Sequence, residues 1–394
     1  MRIALVATLL PADRRGGAEA YVENAALSLA ERHDVHVYAG SAGRVDGVPT
    51  IRIPRLPPLD QAERPIPYRL VWHARDQWLP SVHFALSREL KRWRPDIVMT
   101  HHPQGLSAAV FTAIAQREIP HVHTAHDLNL LCARTSMTKD GEYCGGQCAS
   151  CLVQRRIRTA ALRLNIARLM CVSDYISMRH VEAGAVQAEQ AEVIRLGAAP
   201  GTKRVRRLEG AGLRIGFIGT LSAHKGILTL LEAFRRAPAH WRLLVAGAGK
   251  LEDVVRDEAE GDSRIGYLGH VEGEQKDAFF DALDFLVVPS EWEEPATFVA
   301  LEAAIRGLPA LVSDRGGLPE NPEVRVFRAR DAQSLLREME WYAHDPSRLE
   351  TISRRLIARA DEFSWTTHIA KVERLLVEVL EEAYHGQRAA GDGG

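Results

Sequence analysis

Cysteine is scarce, with five residues in 394. That is too few for a small disulfide-stapled secreted domain. No run of about 18 apolar residues occurs, so no segment reads as a membrane-spanning helix. Neither sign of charge is in excess, since 50 Lys and Arg face 51 Asp and Glu. A net charge of −1 argues against a protein whose main task is coating nucleic acid. A secretory leader is missing as well. The apolar run at residues 3–10 is followed at once by Pro11-Ala12-Asp13-Arg14-Arg15, without a basic start or a small-residue cleavage site. The expected address is the cytoplasm, where clustered thiols suggest metal binding or packing before disulfides.

What is present is ordinary soluble composition, 46% apolar and 26% charged. A single core stops growing at about 250–300 residues, so two domains are expected. Short apolar strands alternate with helical periodicity from end to end. Strands are expected at residues 3–7, 35–38, 96–99, 121–124 and 169–172, and again at 214–219, 241–246, 264–268, 285–288 and 310–313. This pattern predicts two doubly wound, Rossmann-like α/β domains with parallel sheets. Residues 197–212, rich in Gly and basic side chains, read as the linker between a first domain at 1–196 and a second at 213–364. The Gly/Ala-rich end at 387–394 reads as a frayed tail. Open parallel sheets bind ligands at the carboxyl ends of their strands, and with two such domains the cleft between them is the expected site.

Motifs after strands therefore carry most weight. Gly16-Gly17-Ala18-Glu19 opens the first helix, where bare glycines and a helix N-terminus favour an anion; the alternative is a simple turn. Gly219-Thr220-Leu221-Ser222-Ala223-His224-Lys225-Gly226 puts Lys225 at a helix start, where the macrodipole disfavours a cation unless an anion is shared. Phosphate binding is the favoured reading, and a solvated surface lysine is the alternative. The sharpest signal is the loop and helix after residues 285–288, with Glu294 in the loop and Glu302 beside a stripe of Phe298, Leu301 and Ile305. A carboxylate there needs a hydrogen-bonding partner, and a ribose diol suits it. The alternative is an acidic loop with a snorkelling glutamate. His121, His123, His126 and Asp127 cluster at one strand end, with His101 and His102 at another. Singly, each reads more readily as a structural histidine. Cys132, Cys144, Cys148 and Cys151, spaced C-x11-C-x3-C-x2-C, suit a structural tetrahedral zinc, or are buried reduced thiols. Cys171 reads as packing. Arg155, Arg156, Arg158, Arg163 and Arg168 scatter around the helical wheel and read as a solvated face rather than a membrane-binding one.

Taken in order, Gly16-Gly17-Ala18-Glu19, Thr124-Ala125-His126-Asp127, Gly219 through Gly226, Ala246-Gly247-Ala248-Gly249, the Glu294/Glu302 pair spaced E-x7-E, and Gly307-Leu308-Pro309 through Glu320 resemble the GT-B glycosyltransferases of family 4. The resemblance covers nearly the whole chain. It implies two Rossmann-like domains facing across a cleft, and transfer of a sugar with retention from a nucleotide-diphospho-sugar donor. Glu302 would bind the ribose, Lys225 the diphosphate and Glu294 the donor sugar, with amides near Thr297, Phe298 and Val299. The Gly16–Gly17 loop would close on the diphosphate and His126 would lie near the transferred sugar. The acceptor, a glycan, lipid-linked or small molecule, would sit on the first domain. A final helix at 365–386 would return to that domain. A lipid-linked acceptor would bring peripheral contact with the inner membrane face. No catalytic cofactor is expected, because no Asp-x-Asp motif occurs, and nucleic acid is not an expected partner. Two departures stand out. Thr220 occupies a position that is Arg in many relatives, and Ala296-Thr297 replaces Phe-Gly, which leaves the donor sugar open. Alternatives are a nucleotide-sugar epimerase of the same fold and a non-catalytic GT-B scaffold.

Overall fold

The computed structural model describes residues 1–12, 16–57, 65–135, 137–139, 142–144, 148–208, 210 and 212–391. Asp13, Arg14, Arg15, the two glycines after Cys144 and the last three residues of the expected tail lie outside them. The chain divides into two compact units, one comprising residues 1–137, 144–194 and 369–394, the other 138–143 and 195–368.

The strands in chain order begin with β1 (Arg2–Ala7), β2 (Asp34–Ala39), β3 (Thr50–Arg52), β4 (Ile97–His101) and β5 (His121–Ala125). A short antiparallel pair follows, β6 (Thr138–Lys139) with β7 (Glu142–Tyr143), then β8 (Ile166–Cys171) and β9 (Ala191–Val193). Seven of these form the first unit's sheet in the order β3-β2-β1-β4-β5-β8-β9, every pairing parallel. The second unit has β10 (Arg214–Ile218), β11 (Arg242–Ala246), β12 (Ile265–Tyr267), β13 (Phe285–Val288), β14 (Ala310–Ser313) and β15 (Arg325–Phe327). Its parallel sheet runs β12-β11-β10-β13-β14-β15.

Both sheets are doubly wound, as the sequence pattern predicts. The central strands β4, β5 and β13 are buried along their whole length; β13 reads as an unbroken apolar run, whereas β5 carries His121 and His123 and β4 ends in Thr100 and His101. Strand order reverses between β1 and β4 in the first sheet and between β10 and β13 in the second. Ligand-binding loops are therefore expected after β1 and β4, and after β10 and β13. In the second unit Phe279, Phe280, Leu283, Leu286, Leu308 and Val312 share one core cluster, which anchors the strands that carry these loops.

Three features differ from the sequence reading. Arg158, expected on a solvated face, is fully buried and its guanidinium donates to Asp76 Oδ2 at 2.5 Å. Residues 195–208 pack as part of the second unit, where buried Arg206 donates to the carbonyls of Asp281 and Leu283. The last helix, Trp365–Gly391, continues past the point where fraying is expected. From Ile369 onward it belongs to the first unit, burying Val372, Leu375, Leu376 and Val379. There Glu373 pairs with Arg32 at 2.7 Å and His33 at 2.9 Å. Among the described residues no helix is long and apolar enough to cross a membrane.

Candidate active site

The loop after β10 turns through a short 3-10 segment, Ala223–Lys225, into the helix Ile227–Arg235. Gly226 makes this turn with φ of 73°, and a Cβ there would lie 1.7 Å from the Pro289 carbonyl oxygen. The loops after β10 and β13 are therefore pressed together by backbone contact that only glycine allows. The Glu291 amide also donates to the His224 carbonyl at 2.8 Å. This packing brings Lys225 and Glu294 together. The Lys225 Nζ lies 2.8 Å from both Glu294 oxygens and 5.2 Å from the centre of the Trp292 ring. Glu294 is nearly buried and also accepts from Ser290 Oγ at 2.9 Å and Trp292 Nε1 at 2.6 Å. The cation at the helix start is thus held by a carboxylate with four donor contacts, not left as a solvated lysine. Beside it, His224 is held below its ordinary pKa, first by burial and then by the Lys225 charge. Thr220 is exposed on the same loop.

Glu302 lies in the helix Phe298–Ile305. Its Oε1 accepts from Lys276 Nζ at 2.6 Å, while its buried Oε2 has no hydrogen-bond partner. A buried carboxylate oxygen without a donor is costly and marks a place for one. Thr297 is the N-cap of this helix but makes no side-chain cap bond, so the first-turn amides at Phe298 and Val299 receive nothing from it. Two further glycines shape the rim. A Cβ on Gly247 would lie 1.9 Å from the Gly219 oxygen, and one on Gly316 2.2 Å from the Glu294 oxygen.

In the first unit, His126 follows β5. Its Nε2 lies 3.1 Å from His101 Nδ1, and its ring meets Tyr21 edge-on at 4.7 Å. Tyr21 belongs to the helix Gly17–Ala30, whose N-cap is Gly16. His101 is pushed well below its ordinary pKa by burial and then by His126. His121 and His123 share one face of β5, both bonded to Thr100 Oγ1 at 2.7 Å. Burial pushes His121 down to about 3, so these two are neutral structural groups. His102 differs. Burial opposes its charge, but the Asp127 carboxylate 2.8 Å away, with Glu19 adding to it, raises its pKa. Asp127 goes down, because His102 and the Asn129 amide outweigh the cost of burial. A cavity of ≈ 220 Å³ adjoins, lined among others by Glu19, Arg55, Trp72, His102, Gln104 and Arg134. Cys132 and Cys151 are buried with sulfurs 3.8 Å apart, Cys144 is half-buried and Cys148 exposed. Among the described residues no three His, Cys, Asp or Glu side chains already stand as a coordination set.

The sequence reading missed Lys276 and Trp292, since neither residue carries a local signal of what the sheet brings near it. It mentioned His102 only as structural, although an Asp following a neighbouring strand was there to pair with it.

The comparisons with known proteins bear on this geometry. Residues 15–200 match the family model for Glycosyltransferase Family 4, and residues 212–345 that for Glycosyl transferases group 1. The chain is a family 4 glycosyltransferase with the GT-B fold. This glycosyltransferase is 26% identical to an uncharacterized 42.6 kDa protein of the Klebsiella pneumoniae cps region, over 85% of this chain and 91% of that protein. It is also 26% identical to the MMP alpha-(1->4)-mannosyltransferase of Mycolicibacterium hassiacum, over 97% of this chain and 98% of that enzyme. Among solved structures it superposes on the sucrose-phosphate synthase of Thermosynechococcus elongatus with a TM-score of 0.72 at 18% identity, covering 97% and 99% of the two chains. Anabaena HepE in complex with UDP gives 0.72 at 17% identity, covering 96% and 100%.

Proposed function

We propose that this glycosyltransferase moves a sugar from a nucleotide-diphospho-sugar to an acceptor hydroxyl, with retention at the anomeric carbon and without a catalytic divalent metal. The observation that carries the reading is the Glu302 carboxylate, one oxygen held by Lys276 and the other buried without a donor. A ribose hydroxyl supplies the missing donor. Lys225 and the amides at Phe298 and Val299 then meet the diphosphate, with Thr220 as a further donor. Glu294 keeps the Lys225 cation in place and faces the donor sugar. HepE, also solved with UDP-glucose, supports a nucleotide-sugar donor for this fold.

In the reaction the bond from the anomeric carbon to the phosphate oxygen breaks, and a bond to the acceptor oxygen forms on the same face. The acceptor proton passes to the departing phosphate. Negative charge grows on that phosphate, and Lys225 with fixed backbone dipoles stabilises it where it develops. No Asp-x-Asp pair is present to hold a metal on the diphosphate. The first unit's polar cavity takes the acceptor, and His126 assists the transfer.

Incubation with a donor panel, followed by NMR of the first product, tests this. Free nucleotide with a new glycoside of unchanged anomeric configuration is expected. An epimerised donor without nucleotide release points to the epimerase reading, and an inverted product overturns retention. Activity abolished by EDTA and restored by Mg²⁺ or Mn²⁺ overturns metal independence.

A further inference from the structure

Cys132, Cys144, Cys148 and Cys151 play no part in the proposed transfer, yet two of them are arranged in an unusual way. Cys132 lies in the loop that follows β5, and Cys151 lies in the first turn of the helix Ala149–Leu162, for which Cys148 is the N-cap. The sulfurs of Cys132 and Cys151 stand 3.8 Å apart. A disulfide needs about 2.05 Å. Two thiolates on one tetrahedral zinc, each about 2.3 Å from the metal, are separated by about 3.8 Å. The other two cysteines adjoin this pair, since Cys148 hydrogen-bonds Cys151 and Cys144 interacts electrostatically with Cys132.

The backbone around the pair is turned toward sulfur. The Arg134 amide donates to Cys132 Sγ at 3.4 Å, the Met137 amide donates to the same sulfur, and the Ala133 amide donates to Cys151. Thr135 and Met137 take positive φ angles of 63° and 51° to make this turn. In the structure the Cys151 S–H donates to Cys132 Sγ, and the three amides favour negative charge on the two sulfurs once their protons are displaced by a metal. The start of the helix Ala149–Leu162 adds a favourable field for the negative sulfurs of Cys148 and Cys151.

We infer that the four cysteines form a structural Zn²⁺ site. Cys132 and Cys151 are already at coordination spacing, and Cys144 and Cys148 close in to complete a tetrahedral thiolate shell. Each thiol gives up a proton on binding, and four protein ligands leave no open position for chemistry. The site ties the helix Ala149–Leu162 to the loop that follows β5. That same helix sends Arg158 to the Asn129 carbonyl at 2.8 Å, while the Asn129 amide holds Asp127 at 2.7 Å. The metal therefore fastens the loop that presents His126 and Asp127.

The test uses the full chain purified without chelator. Elemental analysis should find about one zinc per chain, released by a mercurial that titrates thiols. Reconstitution with Co²⁺ should give the thiolate-to-cobalt charge-transfer band and the visible bands of a tetrahedral site. C132S and C151S should lose the metal, and C171S should keep it. If the first two fail to fold, the metal content and cobalt spectrum of the wild-type chain still decide. Zinc removal should raise amide exchange across residues 126–135 and leave nucleoside diphosphate affinity within about twofold, because Lys225, Glu302 and the amides at Phe298 and Val299 lie in the other unit. Four freely titratable thiols without metal, iron with acid-labile sulfide, or a Cys132–Cys151 disulfide would each overturn the site. None of these readouts depends on a substrate, so they stand apart from any failure of the transfer reaction.

Discussion

In the proposed reaction donor recognition rests on two side chains, Lys225 and Glu302, and their partners in the structure differ. Lys225 is neutralised by Glu294 through both oxygens, whereas Glu302 is half satisfied by Lys276. Replacing Glu302 by Ala removes a charge-assisted acceptor, at a cost of about 1.5–3 kcal/mol, roughly 10- to 150-fold in Kd. Calorimetry with a nucleoside diphosphate should show it. Lys225→Ala should weaken diphosphate binding more than nucleoside binding in the same experiment. His126→Ala should lower turnover while sparing nucleotide affinity, the pattern of a contact made mainly in the transition state. The His102–Asp127 pair sets a pH signature. His102 is raised above its ordinary 6.5, so its contribution is fully present below that value and is lost as pH rises through the raised pKa. Asp127 is lowered below 3.8, so its contribution is present above 3.8 and lost as pH falls through the depressed pKa. The stability difference between wild type and His102→Asn, measured by denaturant titration, should be largest between these two ordinary values and shrink toward alkaline pH. The loop and helix positions of Glu294, Glu302 and Lys225 could be read from the sequence, because each sits at a fixed offset from an apolar strand, whereas their role is a proposal. Lys276 was not, since it lies on the helix Gly273–Asp281 and meets Glu302 only once both crossovers are folded.

Elements position these residues through backbone contacts that tolerate little change. Gly226 combines φ of 73° with a near-contact to the Pro289 carbonyl. Gly226→Ala should therefore push apart the loops after β10 and β13. It should destabilise the protein by about 1–3 kcal/mol and weaken donor binding as well. Denaturant midpoints and calorimetry read the two effects separately. In the first unit the helix Ala149–Leu162 is held by buried Arg158, which bridges Asp76 and Asn129. Arg158→Met leaves the Asp76 carboxylate buried and unpaired, and about 3–5 kcal/mol of stability should be lost. This arginine was read as solvated because it and its neighbouring arginines scatter around the helical wheel, and a wheel does not show which turn a partner reaches. The central strand β13 was legible for the opposite reason, since burial on both faces writes Phe285–Val288 as an apolar run. The edge strands β3, β9 and β15, three residues each and only partly buried, carry no such pattern and were missed.

For the whole molecule, the division into two units puts every residue assigned to ribose, diphosphate and donor sugar, apart from the Gly16–Gly17 turn, in the unit spanning 195–368. The double-wound order of both sheets followed from the strand–helix alternation, whereas the sugar of the proposed donor is not written in it, because Ala296-Thr297 departs from the pattern of the family it resembles. A donor at about 100 times its Kd should add roughly 2.7 kcal/mol to the unit that binds it. Amide hydrogen exchange of the full chain, with and without a saturating nucleoside diphosphate, locates that stabilisation directly. Protection is expected at residues 219–226 and 290–302, and it should be lost in Glu302→Ala at the same ligand concentration. Saturable binding that leaves both segments exchanging as in the free protein would contradict the donor site.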